Sequence, residues 1–187
     1  MRIMSALRAG QATIATSSHR DTSVSAVHNR LFFRLFQAGN TLDRQTIKEL
    51  GITTVQWSVL GALSRPKVAT GMSFSELAEY LVVNRQNLDS VLKRLERDAH
   101  VKRIADPSDR RAKKVLLTPD GRKFWDSLQP KIYELYRQAV EGLRFDDKVA
   151  LVHFLNQLND GMSKVSLTSA PAASTGRRRR PPSSPRR

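Results

Sequence analysis

Apolar residues recur at helical spacing through the first half of the chain. Residues 24–44 have apolar side chains at positions 24, 27, 31, 32, 35 and 36, which predicts a first helix. A second helix is expected from Thr53, because Thr53 and Gln56 have the spacing of a capping box. That helix should end just before Pro66, since the residue preceding a proline avoids helical geometry.

Two short helices joined by a tight turn are predicted next. Ser73 and Glu76 form a second capping box, and Asn84 can cap the helix that follows the turn. The inward side chains of that later helix are Leu88, Val91, Leu92 and Leu95. This order predicts a helix-turn-helix, although many helical hairpins share the same pattern.

A charged hairpin is predicted directly after the second of these helices. Residues 101–104 alternate apolar and basic side chains, as a half-exposed strand does. Residues 106–111 have turn chemistry with two arginines, and residues 113–117 indicate the returning strand. A strand hairpin with a charged tip after a recognition-type helix is a wing.

Two longer helices complete the pattern. The first opens at Thr118 and Pro119 and crosses Pro130, where a kink is expected. The second begins at Asp146 and Asp147, whose carboxylates suit the positive end of a helix. The predicted fold is therefore mostly α with a small β wing, a winged helix-turn-helix between N- and C-terminal helices.

The chain is strongly basic, and the excess charge is concentrated in two regions. With 32 Lys and Arg against 17 Asp and Glu, the formal net charge of the 187 residues is +15. Residues 84–124 hold 12 basic and 6 acidic side chains, a net of +6, whereas the rest of 24–165 is nearly neutral. Residues 166–187 contain six Arg and no acid. This balance favours an anionic partner, with nucleic acid ahead of a membrane surface.

Composition also sets the expected domain limits and excludes several kinds of site. Residues 1–23 are expected to be a flexible segment, and 166–187 a disordered Arg/Pro/Ser-rich tail. Residues 24–165 form the predicted domain, with a DNA-binding core at about 52–118. There is no Cys, no apolar window of membrane-spanning length and no metal-spaced His pair. We therefore expect a cytoplasmic protein that is not an enzyme and has no membrane partner, cofactor or metal.

Several segments resemble the MarR family of bacterial transcription regulators, and together the resemblance spans residues 24–165. Residues 75–78 carry it before the turn, and residues 91–98 carry it in the recognition helix. The most specific match is 106–111 together with 115–121, from the wing into the next helix. Ala99 and His100 depart from the pattern, because family members often have a glycine there. A left-handed helix end at that point would strain a residue with a side chain.

The resemblance implies a homodimer whose first and last helices form the interface. Independently, the phenylalanines of the first helix and the apolar residues of 149–158 exceed what a small winged domain can cover. The resemblance also implies that a small molecule, often an aromatic carboxylate, binds between the dimer helices and the winged domain and releases DNA. The thiol-oxidation switch of some relatives is closed here, because the chain has no Cys.

Outward residues near the start of the recognition helix are the candidates for base contacts, since this end of such a helix approaches base edges. Gln86 and Asn87 can each form two hydrogen bonds with adenine. Arg85 can pair with guanine or bind a phosphate, and Ser90 is short enough to reach a base edge. Asp89 either accepts from cytosine or holds Arg85 or Lys93 in place. An ordinary polar helix face is the alternative.

Other polar residues are expected to position the duplex or to enter its minor groove. Phosphate contacts, which carry no sequence information, are predicted for Ser75, Lys93, Arg94, Arg97, Arg103 and Lys113. On the wing, the resemblance implies that Arg111 enters the minor groove and that Asp109 steadies it, with electrostatic support from Arg110. A surface turn with weak salt bridges is the alternative for the wing.

The expected function is a sequence-specific regulator: a homodimeric repressor that a small aromatic acid, or its CoA thioester, releases from a near-palindromic DNA operator. The effector class comes from the resemblance alone. Its pocket is assigned to His28, Arg30, Phe33, Arg34, Phe36 and Trp57, although aromatic residues at helical spacing are usually core. The alternative is a sequence-tolerant architectural DNA-binding protein without a ligand switch. The basic tail fits that alternative, whereas the amides of Gln86 and Asn87 argue against it.

Overall fold

The computed structural model describes residues 3–106 and 113–167 of the chain. Its helices are α1 (Ile3–Leu50), α2 (Thr54–Ser64), α3 (Phe74–Leu81), α4 (Arg85–Arg97), α5 (Pro119–Ala139) and α6 (Phe145–Ser163). Its strands are β1 (Met72–Ser73), β2 (Val101–Ala105) and β3 (Lys113–Leu117), in the antiparallel order β1-β3-β2. This confirms the predicted class, mostly α with a small β wing in a winged helix-turn-helix.

The short helices begin at the residues that the sequence predicts. The Gln56 N–H donates to Thr53 Oγ1 at 3.2 Å, and the Thr53 N–H donates to Gln56 Oε1 at 3.0 Å, which closes the capping box of α2. A second capping box opens α3. At the start of α4, Asn84 Oδ1 accepts from the Asn87 N–H at 2.8 Å. These bonds satisfy N–H groups that a helix leaves unpaired in its first turn.

The hydrophobic core lies between α2 and α5 and takes in the end of α1. Its large buried side chains are Leu50, Ile52, Val59, Leu60, Leu63, Met72, Leu77, Leu88, Val91, Leu92, Leu95, Val101, Val115, Leu128 and Ile132. Helix α4 buries the four residues that its spacing predicts, so its polar face is turned outward. The sequence did not predict β1, which follows a 3-10 turn at Pro66–Val68 and pairs Met72 with Val115.

Helix α1 is much longer than the sequence predicts. It begins at Ile3, so the backbone of residues 3–23 is helical where a flexible segment was expected. Each residue added to an existing helix gains a hydrogen bond without a new nucleation cost, and 3–23 contains no proline to stop it. This segment has few large apolar residues, so hydrophobic periodicity did not predict its helix. Periodicity detects a helix that buries one face, and it does not detect a helical backbone as such.

The end of α4, the return of the wing and the start of α5 meet at one point. Ala99 has a φ of +57°, so the left-handed helix end inferred from the missing glycine is confirmed. Thr118 Oγ1 donates to the Ala99 carbonyl at 2.6 Å, and the Thr118 N–H donates to the His100 carbonyl at 3.1 Å. A Cβ on Gly121 would overlap that same His100 oxygen, so the close approach of α5 requires glycine.

The chain divides into two compact units, Met1–Arg137 and Gln138–Arg187. In the second unit, α6 opens with both predicted acids in its first turn, and Asp147 accepts from the Arg144 N–H at 3.1 Å. Hydrogen bonds from the Arg144 side chain and backbone lower the pKa of the Asp147 carboxyl. The single domain over 24–165 and the disordered tail stay predictions, and residues 168–187 lie outside the described part.

Candidate nucleic-acid interface

The first turns of α4 present polar side chains to solvent above a buried apolar face. Arg85, Gln86, Asn87 and Ser90 are all exposed, while Leu88 between them is fully buried. Within the described part of the chain, the side chains of Gln86, Asn87 and Ser90 make no hydrogen bond. Their donors and acceptors are therefore available to a partner, and Leu88 fixes the side of the helix from which they project.

Arg85 joins the start of α4 to the start of α3. Its Nη2 donates to Ser75 Oγ at 3.1 Å, and its guanidinium carbon lies 5.2 Å from the centroid of the Phe74 ring. The structure thus brings together two predicted DNA contacts, one from each helix of the helix-turn-helix. The cation-π contact and the hydrogen bond limit the rotamers of an otherwise exposed arginine.

Asp89 is the charged centre of the α4 surface that faces β2. Its carboxylate accepts from Lys93 Nζ at 2.8 Å and from Arg103 Nη2 at 3.0 Å. These hydrogen bonds, from Lys93 first and then Arg103, lower the pKa of Asp89. Asp89 therefore stays ionised near neutral pH. Of the expected alternatives, the pairing with Lys93 is observed, whereas Arg85 binds Ser75 instead.

The predicted phosphate contacts are not equivalent in the structure. Lys93, Arg94, Arg97 and Lys113 are exposed, and Arg97 also pairs with Asp98 at 3.1 Å. The side chain of Arg103 is only 23% exposed and lies between two carboxylates, and its phosphate contact stays a prediction.

The pairing of Arg103 with α4 was not predicted from the sequence. Its second partner is Glu96, whose Oε2 lies 3.3 Å from Arg103 Nε. The available signal was the separation of Asp89 and Glu96 by seven residues, which puts two acids on one face of an otherwise basic helix. Sequence spacing does not show which strand residue that face meets.

The wing is a hairpin in register from Val101 opposite Leu117 to Ala105 opposite Lys113. Asp106, just beyond β2, is buried, and Lys114 Nζ lies 3.3 Å from its carboxylate. Asp109, Arg110 and Arg111 lie outside the described residues, so the minor-groove role of the wing tip stays a prediction. What the structure supplies is the base of the wing, held against the core through Val101 and Val115.

The residues assigned to the effector pocket fall into two groups. His28, Arg30, Phe33, Arg34 and Phe36 are exposed along α1. Trp57, in α2, is partly buried against the core, and its ring meets the edge of Tyr136 with centroids 6.2 Å apart. Among the described residues, no group of three or more metal-ligating side chains occurs, and no helix has the length and apolar character of a membrane span.

Known proteins are similar to most of the chain. The sequence pattern of the MarR family matches residues 50–112. The transcriptional activatory protein BadR of Rhodopseudomonas palustris is 42% identical over 156 residues, covering 81% of this chain and 89% of that protein. The homoprotocatechuate degradative operon repressor of Escherichia coli is 28% identical over 134 residues, covering 70% and 88%. The Bordetella bronchiseptica BpsR structure, solved to explain regulation of its DNA binding by 6-hydroxynicotinic acid, has a TM-score of 0.59. It is 27% identical, covering 71% of this chain and 98% of that one.

Proposed function

The chain belongs to the MarR family of transcription regulators, and on that premise we propose a cytoplasmic homodimer that binds an operator specifically and responds to an aromatic acid. The observation that carries the proposal is the outward face of α4. Gln86, Asn87 and Ser90 are exposed there with unused hydrogen-bonding groups, in the part of the helix that approaches base edges. An architectural binder would need only phosphate contacts, not a row of amides and a hydroxyl.

The homodimer is supported by uncovered apolar side chains on both terminal helices. These are Val27, Leu31, Phe32, Phe33 and Phe36 on α1, and Val149, Leu151, Val152, Phe154 and Leu155 on α6. Apolar surface of this extent usually marks an interface. A two-fold dimer would place its two copies of α4 one DNA turn apart, roughly 34 Å, and would therefore prefer a near-palindromic operator.

The effector we propose is a small aromatic acid or its CoA thioester. Two similar proteins are connected with such acids: one is named for homoprotocatechuate degradation, and the other, BpsR, is regulated in its DNA binding by 6-hydroxynicotinic acid. We place the ligand beside His28, Arg30, Phe33, Arg34, Phe36 and Trp57, with walls completed by the second protomer because the α1 residues are exposed in one chain. Ligand-relieved repression is our first candidate, and activation is the second because the Rhodopseudomonas palustris relative is named as an activatory protein.

The proposal is tested by fluorescence anisotropy with DNA from upstream of the protein's own gene and its neighbours. A scrambled duplex of equal length is the reference, at about 150 mM salt, with and without a panel of aromatic acids. We expect a preference of roughly a thousandfold that one panel member abolishes. A small preference with steep salt dependence and no ligand effect would support the architectural alternative instead.

Replacing Gln86 with alanine separates base reading from phosphate binding. Gln86→Ala should weaken binding to the preferred duplex by about tenfold or more, because a bidentate base contact is lost. Binding to scrambled DNA should be unchanged in the same titration. Arg94→Ala is the matched control, since an exposed cation on the same helix should matter equally for both duplexes. Equal losses for Gln86→Ala would make it a backbone contact.

A further inference from the structure

We infer that Asp89 and Arg103 are positioning residues, whose ion pair, extended by Glu96, holds the recognition helix against the first wing strand so that both engage DNA as one unit. The inference rests on the proposed function, since it concerns how the two DNA-reading elements are kept in register. It gives Arg103 a contact between α4 and β2 in place of a phosphate contact.

The contacts of Arg103 with Asp89 and Glu96, called the strut below, connect β2 with α4. Arg103 projects from β2, while Asp89 and Glu96 lie two turns apart on α4, a separation of about 10.5 Å along the axis. One guanidinium meets both, with Nη2 3.0 Å from Asp89 Oδ1 and Nε 3.3 Å from Glu96 Oε2. The planar guanidinium hydrogen-bonds one carboxylate and lies beside the second, which restrains movement of the helix relative to the strand.

The two carboxylates contribute differently. The Nη2 contact with Asp89 is a hydrogen bond, whereas the Nε of Arg103 is buried and has no hydrogen-bond partner although Glu96 is close. Glu96 therefore acts through charge, and Asp89 sets the geometry. Lys93 Nζ lies 2.8 Å from the other carboxylate oxygen of Asp89, Oδ2.

The signs of the charges indicate why a strut is needed here. Helix α4 otherwise presents Arg85, Lys93, Arg94 and Arg97, as a helix that approaches phosphates should. An acid at position 89, one residue from Ser90 and two from Asn87, repels DNA. Its presence at that position is explained if it orients neighbouring groups, because affinity alone would be better without it.

The same pair connects both reading elements. Asp89 follows Gln86 and Asn87 by less than one turn, so a rotation of α4 at this point would move both amides relative to base edges. Strand β2 continues from Arg103 towards the tip residues 107–112. The strut thus couples the base-reading face to the wing through a single guanidinium.

Asp89→Asn gives the decisive measurement. Removal of its negative charge and loss of its ion pair with Arg103 should change the affinity for DNA in opposite directions. The probes are a duplex selected by the wild-type protein from a randomised pool, and a scrambled duplex of the same length and composition. Removing a negative charge should tighten binding to the scrambled duplex. Loss of the strut should weaken binding to the selected duplex by about tenfold, in the range found for coupled pairs. Glu79→Gln, an exposed acid on α3, is the control and should leave the ratio of the two affinities unchanged.

Substitutions of Arg103 supply the second measurement. Arg103→Gln should lower the affinity ratio as Asp89→Asn does and leave the salt slope unchanged. Arg103→Lys should restore part of the ratio, since it keeps the charge but not the two-point contact. A salt slope reduced by about one charge would instead identify Arg103 as a phosphate contact and overturn the inference.

The remaining outcomes separate the inference from the proposed function. If the wild type prefers the selected duplex and Asp89→Asn keeps the same ratio, the strut is refuted and the regulator is not. If the wild type binds both duplexes equally, the proposed function falls and the inference falls with it. Thermal melts of each variant confirm that the compared proteins are folded.

Discussion

The winged unit, by which we mean α2 to α5 with the three strands, buries most of its large apolar side chains, whereas the terminal helices α1 and α6 expose many of theirs. Leu88, Leu92 and Val115 are fully buried in the winged unit. On α1, by contrast, Phe36 is 64% exposed, and on α6 Phe154 is 61% exposed. Burial is what stabilises a fold, at roughly 25 cal/mol per Å² of apolar surface. The winged unit therefore obtains its stability from the single chain, while the exposed apolar side chains of the terminal helices would be buried only in the proposed homodimer.

The largest expected effect is on stability, and it distinguishes a glycine in a close backbone contact from a glycine with open space around it. Gly121→Ala should destabilise the winged unit by more than about 4 kcal/mol, because the new Cβ would overlap the His100 carbonyl. Gly161→Ala on α6 meets nothing within 4 Å and should stabilise the helix by up to about 1 kcal/mol. Urea unfolding of the two variants checks this contrast, and a mild effect of Gly121→Ala would contradict the close crossing of α5.

The second effect falls on assembly rather than on the fold. Phe36→Asp should dissociate the proposed homodimer, with a loss of at least about 2 kcal/mol in dimer affinity, because a charge would replace an exposed apolar side chain of the interface. Gln37→Asp is the control on the neighbouring exposed position. Sedimentation gives the oligomeric state, and circular dichroism should show an unchanged fold. A Phe36→Asp protein that remains dimeric would remove α1 from the interface.

A smaller effect is expected for Ala→Gly substitutions, whose change in the free energy of unfolding should have opposite signs in the two regions. Ala99→Gly should stabilise the chain by about 1 kcal/mol, since the left-handed φ of +57° strains alanine. Ala38→Gly, in the interior of α1, should cost about 0.5–1 kcal/mol instead. Thermal unfolding of both variants measures the difference. Destabilisation by Ala99→Gly would show that the helix end is not left-handed.

The smallest expected effect lies where α1 meets α2 and depends on pH. Asp43 Oδ1 accepts from Thr54 Oγ1 at 2.6 Å and from the Thr54 N–H at 3.0 Å, and these bonds lower its pKa. A lowered pKa in the folded state means that the stabilisation is present above the ordinary value of 3.8 and is lost as pH falls through the lower one. Asp43→Asn should cost under about 1 kcal/mol at pH 7, after allowance for solvent screening. In urea unfolding, the difference from wild type should shrink below pH 3.8, and a constant difference would contradict it.

Local spacing predicted much of the fold, and contacts distant in sequence account for what it missed. The cap at Thr53 and the four buried residues of α4 depend on neighbours within two turns, so periodicity and cap chemistry suffice. The pairing of Arg103 with Asp89 was not predicted, because the two residues are 14 positions apart on different elements. The start of α1 was missed because that segment is helical without an apolar stripe. The minor-groove role of the wing tip stays a prediction that the family resemblance implies.

Three outward residues of α4 contribute little to the stability of the fold. Gln86, Asn87 and Ser90 make no side-chain hydrogen bond in the described part of the chain, while Asn84 and Leu88 between and beside them maintain the helix. Substitutions at these three positions should therefore be nearly neutral for folding, and under the proposed function they would be free to change which bases are recognised. After a gene duplication, a copy could acquire a new operator by a few such replacements, without first accumulating compensating stability elsewhere.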